Sequence, residues 1–369
     1  MFAFRLPAPF RMPWRPAIAA AAAAVGIGLL LHLAPERLVG QSRAATLGAP
    51  ADLAATGLYS DPAAQTVDPA HIAFAPQYPL WTDGALKRRW ISLPPGTAID
   101  ATDTDIWNFP VGTRLWKEFS FDGRKVETRY MERQADGSWL FATYGWSADG
   151  QTAPLVSERG RANAYPLAGG AAHAIPGVAD CRVCHLSGPV AVLGFGARQL
   201  ATDEPAAGPG DGAPNPVLRK LAADGLLAGL DPRAIAARPG GTRLERAALG
   251  YLHGNCGHCH NAQGPLAKLG LDLRQSAADP HAGPKATTLG VPLKSPPPGL
   301  APGTVARVAP GRPDLSALPQ RMASRWPLLQ MPPLGTALAD AEAVEMINRW
   351  IAETETGSAG DRHQEGEEG

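Results

Sequence analysis

The same pentad, C-x-x-C-H, occurs twice in this chain of 369 residues, at 181–185 and at 256–260. The chain has four cysteines, and all of them lie in these two pentads. Two thiols one short turn apart can reach the two vinyl groups of one porphyrin, and the histidine that follows can supply an axial nitrogen to its iron. The spacing therefore predicts two covalently attached haem c groups. The predicted thioether residues are Cys181, Cys184, Cys256 and Cys259, and the predicted iron ligands are His185 and His260.

Two other kinds of site also use C-x-x-C pairs. Zinc sites combine two such pairs, and histidine is a zinc ligand as well. A zinc ribbon spaces its pairs by roughly 15–20 residues, whereas Cys184 and Cys256 are much further apart in this chain. A thioredoxin-like redox pair does not need a histidine after each pair. Haem attachment is therefore the hypothesis that the pattern favours, and zinc is the main alternative.

The charge balance and the N-terminus indicate which partners and which compartment to expect. Lys plus Arg total 34, as do Asp plus Glu, so no overall basic field attracts nucleic acid or an anionic membrane surface, and we expect neither partner. Residues 1–45 begin with scattered arginines and contain an apolar run at 17–33. That pattern predicts an export signal peptide or an N-terminal anchor in the inner membrane. Because haem c is attached outside the inner membrane, we expect a periplasmic protein.

The composition of the chain changes near residue 70. Residues 46–70 are rich in Ala, Gly and Pro, which predicts an extended linker. Residues 71–200 contain aromatic residues, short alternating runs and frequent turn residues, which indicate an antiparallel β-rich domain that ends in the first pentad. Three consecutive strands are predicted at 113–121, 126–133 and 138–146.

Lys117 lies within the first of these predicted strands. By the two-residue period of a strand it shares a face with Leu115 and Phe119, which is unusual for a charged side chain.

The second half of the chain has the periodicity of helices rather than of strands. A helix is predicted over 218–230, and a final helix over 340–351 begins at Asp340 as its N-cap. A Pro-rich stretch at about 279–310 predicts an exposed insertion. The remaining organisation is a linker with helices at 201–242, a helical domain at 243–353 and a disordered acidic tail at 354–369. The predicted fold class is α+β multidomain, with an antiparallel β-rich N-terminal domain followed by an all-α domain.

The segment 243–353 resembles the small helical cytochrome c domain. It has a helix, then C-x-x-C-H, then a Gly-Pro soon after, a distal Met-Pro and a C-terminal helix. The resemblance implies that His260 is the proximal iron ligand and Met331 the distal one, with Met322 as the alternative thioether. It also implies the backbone carbonyl of Pro265 as the acceptor that orients His260. A Met/His pair closes both axial positions and suits a haem to electron transfer.

The first half has a different resemblance. The order Tyr78-Pro79-Leu80-Trp81, then a Phe-Pro-x-Gly-Thr string at 109–113, strands and a late C-x-x-C-H is similar to a family of exported bacterial cytochromes that pair a β domain with a cytochrome c module. More distantly, it is similar to β-sheet mono-haem cytochromes that oxidise hydroxylamine, which have an open iron position and a lysine cross-linked to the porphyrin. For Lys117 we weigh that role against an ordinary structural lysine.

The sequence leaves the distal side of the first haem open. Met131, His173 and His253 are the candidate ligands, and an iron with no sixth protein ligand is the alternative. Two functions follow. The first is a periplasmic di-haem cytochrome that transfers electrons to a redox partner protein. The second is an enzyme whose first haem oxidises or reduces a small molecule while the second relays electrons.

Overall fold

The computed structural model describes residues 48–201, 216–230, 241–277, 279, 283–294 and 296–354. The predicted export segment at 1–45 lies outside the described residues, and so does the acidic tail apart from Thr354. The chain from Gly48 onwards belongs to one compact unit. Within the described ranges no helix is long and apolar enough to cross a membrane.

A five-stranded antiparallel sheet forms the centre of the N-terminal half. Its strands in spatial order are β3 (Ile72–Ala73), β4 (Leu86–Ser92), β6 (Arg114–Phe121), β7 (Arg124–Arg133) and β8 (Trp139–Gly145). The last three are the three consecutive strands that the sequence predicts. Asp122 and Gly123 both have positive φ, which a tight hairpin requires, and they connect β6 to β7. Six shorter strands are β1 (Tyr59–Asp61), β2 (Thr66–Val67), β5 (Ile99–Asp100), β9 (Arg161–Pro166), β10 (Ala172–Ile175) and β11 (Leu227–Ala228).

Each face of this sheet contributes buried apolar side chains to a core. One face presents Leu115, Met131 and Phe141, which are register partners across β6, β7 and β8. They pack in one core with Cys181 of the first pentad. The opposite face presents aromatic side chains that include Trp116. By the two-residue period of a strand, Met131 shares a face with Glu127, Arg129 and Arg133 in the sequence, which favours the interpretation that it lies opposite the apolar face. That interpretation is wrong, because its register partners are the core residues of the first face.

Residues 48–70 are not an extended linker, which corrects our prediction for 46–70. A 3-10 helix at Leu53–Thr56 begins at Asp52, and strands β1 and β2 form a hairpin. Leu53 and Leu58 are almost fully buried against the second face of the sheet. Thr56 Oγ1 accepts a hydrogen bond of 2.9 Å from the Trp116 indole. Burying two leucines and satisfying an indole N–H fixes this segment on the sheet.

The C-terminal half contains most of the helices. The helices of the described residues are α1 (Val178–His185), α2 (Ala197–Leu200), α3 (Pro216–Ala223), α4 (Arg243–Asn255), α5 (Pro284–Thr288), α6 (Ala317–Ala323) and α7 (Ala341–Glu353). Helix α3 ends earlier than the helix predicted over 218–230, because Gly225 follows in the left-handed region and terminates it. Asp340 caps α7 as predicted, accepting from the Ala343 N–H at 3.1 Å. The described part of the chain is therefore α+β.

Helices α4 and α7 share one core in which Leu252, Ile347 and Ile351 are fully buried. The Pro-rich stretch contributes to the same core, because Val308 is also fully buried there. Our prediction of an exposed insertion at about 279–310 is therefore wrong for this part of it. Helix α3 packs instead on the core of the sheet, since Leu218 and Leu221 are buried with Phe195 and Ile99.

Candidate cofactor site

Both pentads line a single cavity of about 610 Å³. The lining includes the four cysteines of the pentads, the histidine that ends each pentad and the predicted distal methionine: Cys181, Cys184, His185, Cys256, Cys259, His260 and Met331. Its walls come from the sheet face that carries Leu115 and Phe141 and from the helical half. The site is therefore shared between the two halves of the chain, which the sequence did not indicate.

The first pentad forms the C-terminal part of α1. Asp180 Oδ2 accepts a hydrogen bond of 2.9 Å from the Gly177 N–H and so fixes the start of this helix. His185 Nδ1 lies 2.7 Å from the Ala191 carbonyl oxygen, so Nδ1 donates and Nε2 is left as the free lone pair. Burial lowers the pKa of His185 to about 4, and the charges of Lys117 and Arg129 act in the same direction. The imidazole is therefore neutral at pH 7, as a metal ligand must be.

The second pentad follows α4 directly, and Cys256 is the C-cap of that helix. The His260 N–H donates to the Cys256 carbonyl at 2.9 Å, which closes the pentad into a turn. Burial lowers the pKa of His260. Its Nδ1 is buried without a hydrogen-bond partner among the described residues. The expected hydrogen bond to the Pro265 carbonyl is therefore not formed in this structure.

The cysteines of both pentads are free thiols. Burial raises the pKa of Cys181 and of Cys184 to about 11, and that of Cys256 to about 12. Catalytic redox cysteines have the opposite property, a pKa lowered by nearby positive charge or a helix N-terminus. The environment is thus that of protonated thiols in an apolar cavity, which disfavours the thioredoxin-like alternative.

The two pentads are packed against each other. Asn261, which follows the second pentad, is fully buried. Its Nδ2 donates to the carbonyl of Ser187, which follows the first pentad, at 3.0 Å and to the Gly257 carbonyl at 3.2 Å. A side chain at Gly264 would place its Cβ only 2.1 Å from the same Ser187 carbonyl. One buried amide and one glycine therefore hold the loops after the pentads together.

The two candidate thioethers of the second site both line the cavity. Met322 lies in α6 and is part of the buried core beneath α4 and α7. Met331 lies in the loop before α7, is half-buried, and is fixed by a hydrogen bond of 2.9 Å from its N–H to the Arg321 carbonyl. The assignment of Met331 as distal ligand stays a prediction.

The three candidate distal ligands of the first site are in different surroundings. Met131 lines the cavity, whereas His173 and His253 are absent from its lining. His173 is buried between Asp83 and Glu127, with 3.1 Å to each carboxylate. The Nδ1 of His253 accepts a hydrogen bond of 3.0 Å from the Gln275 N–H. Both histidines therefore have structural partners.

Sequence reasoning missed His258, the middle residue of the second pentad. It lines the cavity, and its Nδ1 is buried without a partner in the part of the chain that the structure describes. Burial, together with the charges of His260 and Lys117, lowers its pKa to about 4. The second pentad thus contributes two neutral imidazoles to the cavity. The extra histidine was visible in the sequence, but nothing there indicated which way it points.

Residues 79–83 connect the sheet to both sides of the second site. The Trp81 N–H donates to Asn255 Oδ1 at 2.6 Å, and Asn255 Nδ2 donates back to the Pro79 carbonyl at 3.2 Å. Asp83 Oδ1 accepts from the N–H groups of Ala337 and Leu338, at 2.7 and 2.9 Å. The segment therefore ties the end of α4 and the loop after Met331 to the same sheet.

Within the described residues, no group of three or more His, Cys, Asp and Glu side chains is arranged to hold a metal ion. No protein-family model, curated protein or solved structure matches the chain.

Proposed function

We propose that this chain is an exported di-haem c-type cytochrome that transfers electrons in the periplasm. The observation that carries the proposal is the opening of both C-x-x-C-H pentads onto one cavity, with two free thiols at each. The donor set fits haem c, because each pentad offers a neutral imidazole beside its thiols in a mainly apolar cavity. The N-terminal apolar run supports export.

The arrangement of α4, the second pentad, Met331 and α7 supports a cytochrome c-like interpretation of residues 243–353. Helix α4 begins this segment, helix α7 ends it, and the two helices share one core. The second pentad and Met331 lie between these helices in the sequence, and both line the cavity. In this proposal His260 and Met331 hold the iron of the second haem. Bound there, haem supplies a one-electron couple whose potential a Met/His ligand pair raises.

The residues in and around the first pentad would hold the first haem and orient its histidine ligand. Cys181 and Cys184 would provide the thioether bonds, and His185 would bind iron through Nε2. The Ala191 carbonyl fixes the tautomer and the ring direction of His185. Asn261 keeps the loop after the first pentad against the second. Such close packing favours electron exchange between the two sites, and a redox partner protein would receive the electrons.

Whole-protein mass tests this proposal. Full-length protein expressed with the haem attachment machinery is expected to exceed its polypeptide mass by two haems. Cys181→Ala should weaken attachment at the first pentad alone, and Cys256→Ala, its matched control, should weaken attachment at the second alone. An excess of one haem would contradict the assignment of one pentad. No excess would return the sequence to the zinc alternative.

The second candidate function is a haem enzyme with an open position at the first site. The observation that favours it is the placement of His173 and His253 outside the cavity lining, each with a structural partner. We expect the ferric protein to bind one cyanide for every two haems, measured by absorption titration. His185→Ala should remove that binding and leave the spectrum of the second haem intact. Two ferric haems that are low-spin and inert to cyanide would reject the enzyme and leave the electron carrier.

A further inference from the structure

Three cationic side chains form a row across the cavity face of the sheet. Arg89 in β4 pairs in register with Lys117 in β6, and Lys117 pairs with Arg129 in β7. Directly paired residues of antiparallel strands project from the same face with their Cβ atoms about 5 Å apart. All three side chains line the cavity that also contains Cys184 and His185. Arg89, Lys117 and Arg129 therefore form one continuous basic row beside the first pentad.

The carboxylates near this basic row already have hydrogen-bond and ion-pair partners. Glu127 is fully buried, lies 2.6 Å from the Arg129 guanidinium and 3.1 Å from His173 Nε2. Asp83 is bound to His173 and to two backbone N–H groups. In the described ranges, the side chains of Arg89 and Lys117 have no hydrogen bond and no ion pair. Lys117 Nζ lies 5.0 Å from the centre of the Phe119 ring, a contact that two neighbouring cations share.

Burial makes this excess of positive charge costly. Arg89 is only 7% exposed, and burial lowers its pKa to about 10, so it stays charged at pH 7. Burial, together with Arg89 and Arg129, lowers the pKa of Lys117 well below its usual value. A lysine can release its proton, but a guanidinium cannot under these conditions. A buried cation without a counter-ion is strongly unfavourable. Arg89 is therefore a buried cation with no counter-ion among the described residues.

We propose that Arg89, Lys117 and Arg129 form an anion site that binds an oxygen-bearing anion, a carboxylate or a small oxyanion, beside the first pentad. A guanidinium presents two parallel N–H groups that match two oxygens of such a group. Lys117 adds a third donor and takes up a proton when the anion enters. The anion has two sources, a carboxylate of the haem itself or a free anion from solution. Only the first source rests on the proposed function.

Formate is the probe, because it carries one negative charge on two oxygens and little else. Full-length holoprotein is titrated with formate at constant ionic strength in a calorimeter. If the anion is free, wild type binds one formate, and Arg89→Met and Lys117→Met each weaken binding about ten-fold or more, as expected for the loss of one charge-assisted hydrogen bond. The matched controls are Arg88→Met and Lys125→Met. Arg88 lies on the opposite face of β4, Lys125 lies in β7, and both side chains are paired with Glu118. They should change binding by less than about two-fold.

If a haem carboxylate fills the site, wild type does not bind formate. Arg89→Met and Lys117→Met then lower the midpoint potential of the first haem more than the two controls do, because a positive charge that stabilised the reduced form is lost. The proposal is overturned if formate binds equally well to all variants. It is also overturned if wild type binds no formate and the potentials follow the controls.

Folding and function are checked separately. The titration of the wild-type protein needs no variant, so it can be interpreted even if a variant fails to fold. If Arg89→Met does not fold, Lys117→Met alone provides the comparison. Haem content is measured by mass on the same samples. A chain without haem that binds formate would contradict the proposed function and support the anion site.

Discussion

Replacing Asp83 by alanine is expected to lower the free energy of unfolding by about 3–5 kcal/mol, the usual cost of removing one partner from a buried charged pair. One oxygen of this buried carboxylate accepts from the N–H groups of Ala337 and Leu338, and the other lies 3.1 Å from His173 Nδ1. Alanine leaves all three groups without a partner, and the residue at 83 also has φ of 51°, which favours Asp, Asn or Gly. Urea denaturation measures the difference.

The matched variants separate charge from backbone strain. Asp83→Gly relieves the positive φ and should still destabilise the protein. Asp83→Asn keeps an acceptor for the two N–H groups and should cost less than alanine. Asp68→Ala, which removes an exposed carboxylate bound to the Ala70 N–H, should stay within about 1 kcal/mol of wild type. A cost for Asp83→Ala no larger than that of Asp68→Ala would contradict the role of this carboxylate.

The buried cluster of Asp83, His173 and Glu127 makes the free energy of unfolding depend on pH. Burial opposes ionisation of Asp83, but hydrogen bonds from His173, Leu338 and Ala337 outweigh it and lower its pKa. Burial likewise opposes ionisation of Glu127, but the charge of Arg129 and the hydrogen bond from His173 lower its pKa. These contributions are present above the unfolded carboxyl values of about 4 and are lost as pH falls through the lowered folded values.

His173 acts in the opposite direction. Burial would lower its pKa, but its hydrogen bonds to Asp83 and Glu127 raise it. Its contribution is full below the unfolded value of about 6.5 and is lost as pH rises through the raised folded value. The cluster therefore stabilises the fold most between roughly pH 4 and 6.5, and Asp83→Asn should flatten that dependence.

Under the proposed function, Met331→Ala is expected to remove the sixth ligand of the second haem. With the thioether lost and His260 retained, the weak red charge-transfer band of a ferric Met/His haem should disappear. The midpoint potential of that haem should fall by on the order of 0.1 V, within the span of about 0.8 V that axial ligands cover. Absorption spectroscopy and a redox titration measure the two effects.

Met322→Ala is the matched control for this prediction. Because Met322 belongs to the core beneath α4 and α7, its truncation should cost about 2–5 kcal/mol of stability and leave the band in place. If the band survives Met331→Ala and is abolished by Met322→Ala, the ligand assignment is wrong.

The central strands could be predicted because their signal is local. Alternation and Asp-Gly turns gave β6, β7 and β8 to within a few residues. The segment at 48–70 could not be recognised in the same way. Its composition is that of a linker, and Leu53 and Leu58 become core residues only because the sheet has a second apolar face to cover. Helix α3 was predicted too long because the effect of Gly225 depends on its left-handed backbone.

The candidate site divides in the same manner. Each pentad is a motif of five adjacent residues, so its position required no knowledge of the fold. The contact between the pentads joins Asn261 to Ser187, 74 positions apart, through a side-chain amide with no characteristic motif. The row of Arg89, Lys117 and Arg129 depends on the register of three strands. Lys117 alone stood out in the sequence, since it interrupts an apolar face.

The hydrogen bonds of residues 79–83 also suggest an order of events during folding. Asp83 accepts a hydrogen bond from the Leu338 N–H, and the two residues are 255 positions apart. The strands of the sheet have partners that are much closer in the chain. Because closing a long loop costs more conformational entropy than closing a short one, we expect the strands to pair first. The segment before α7 would then dock last on Asp83 and join the two halves of the molecule.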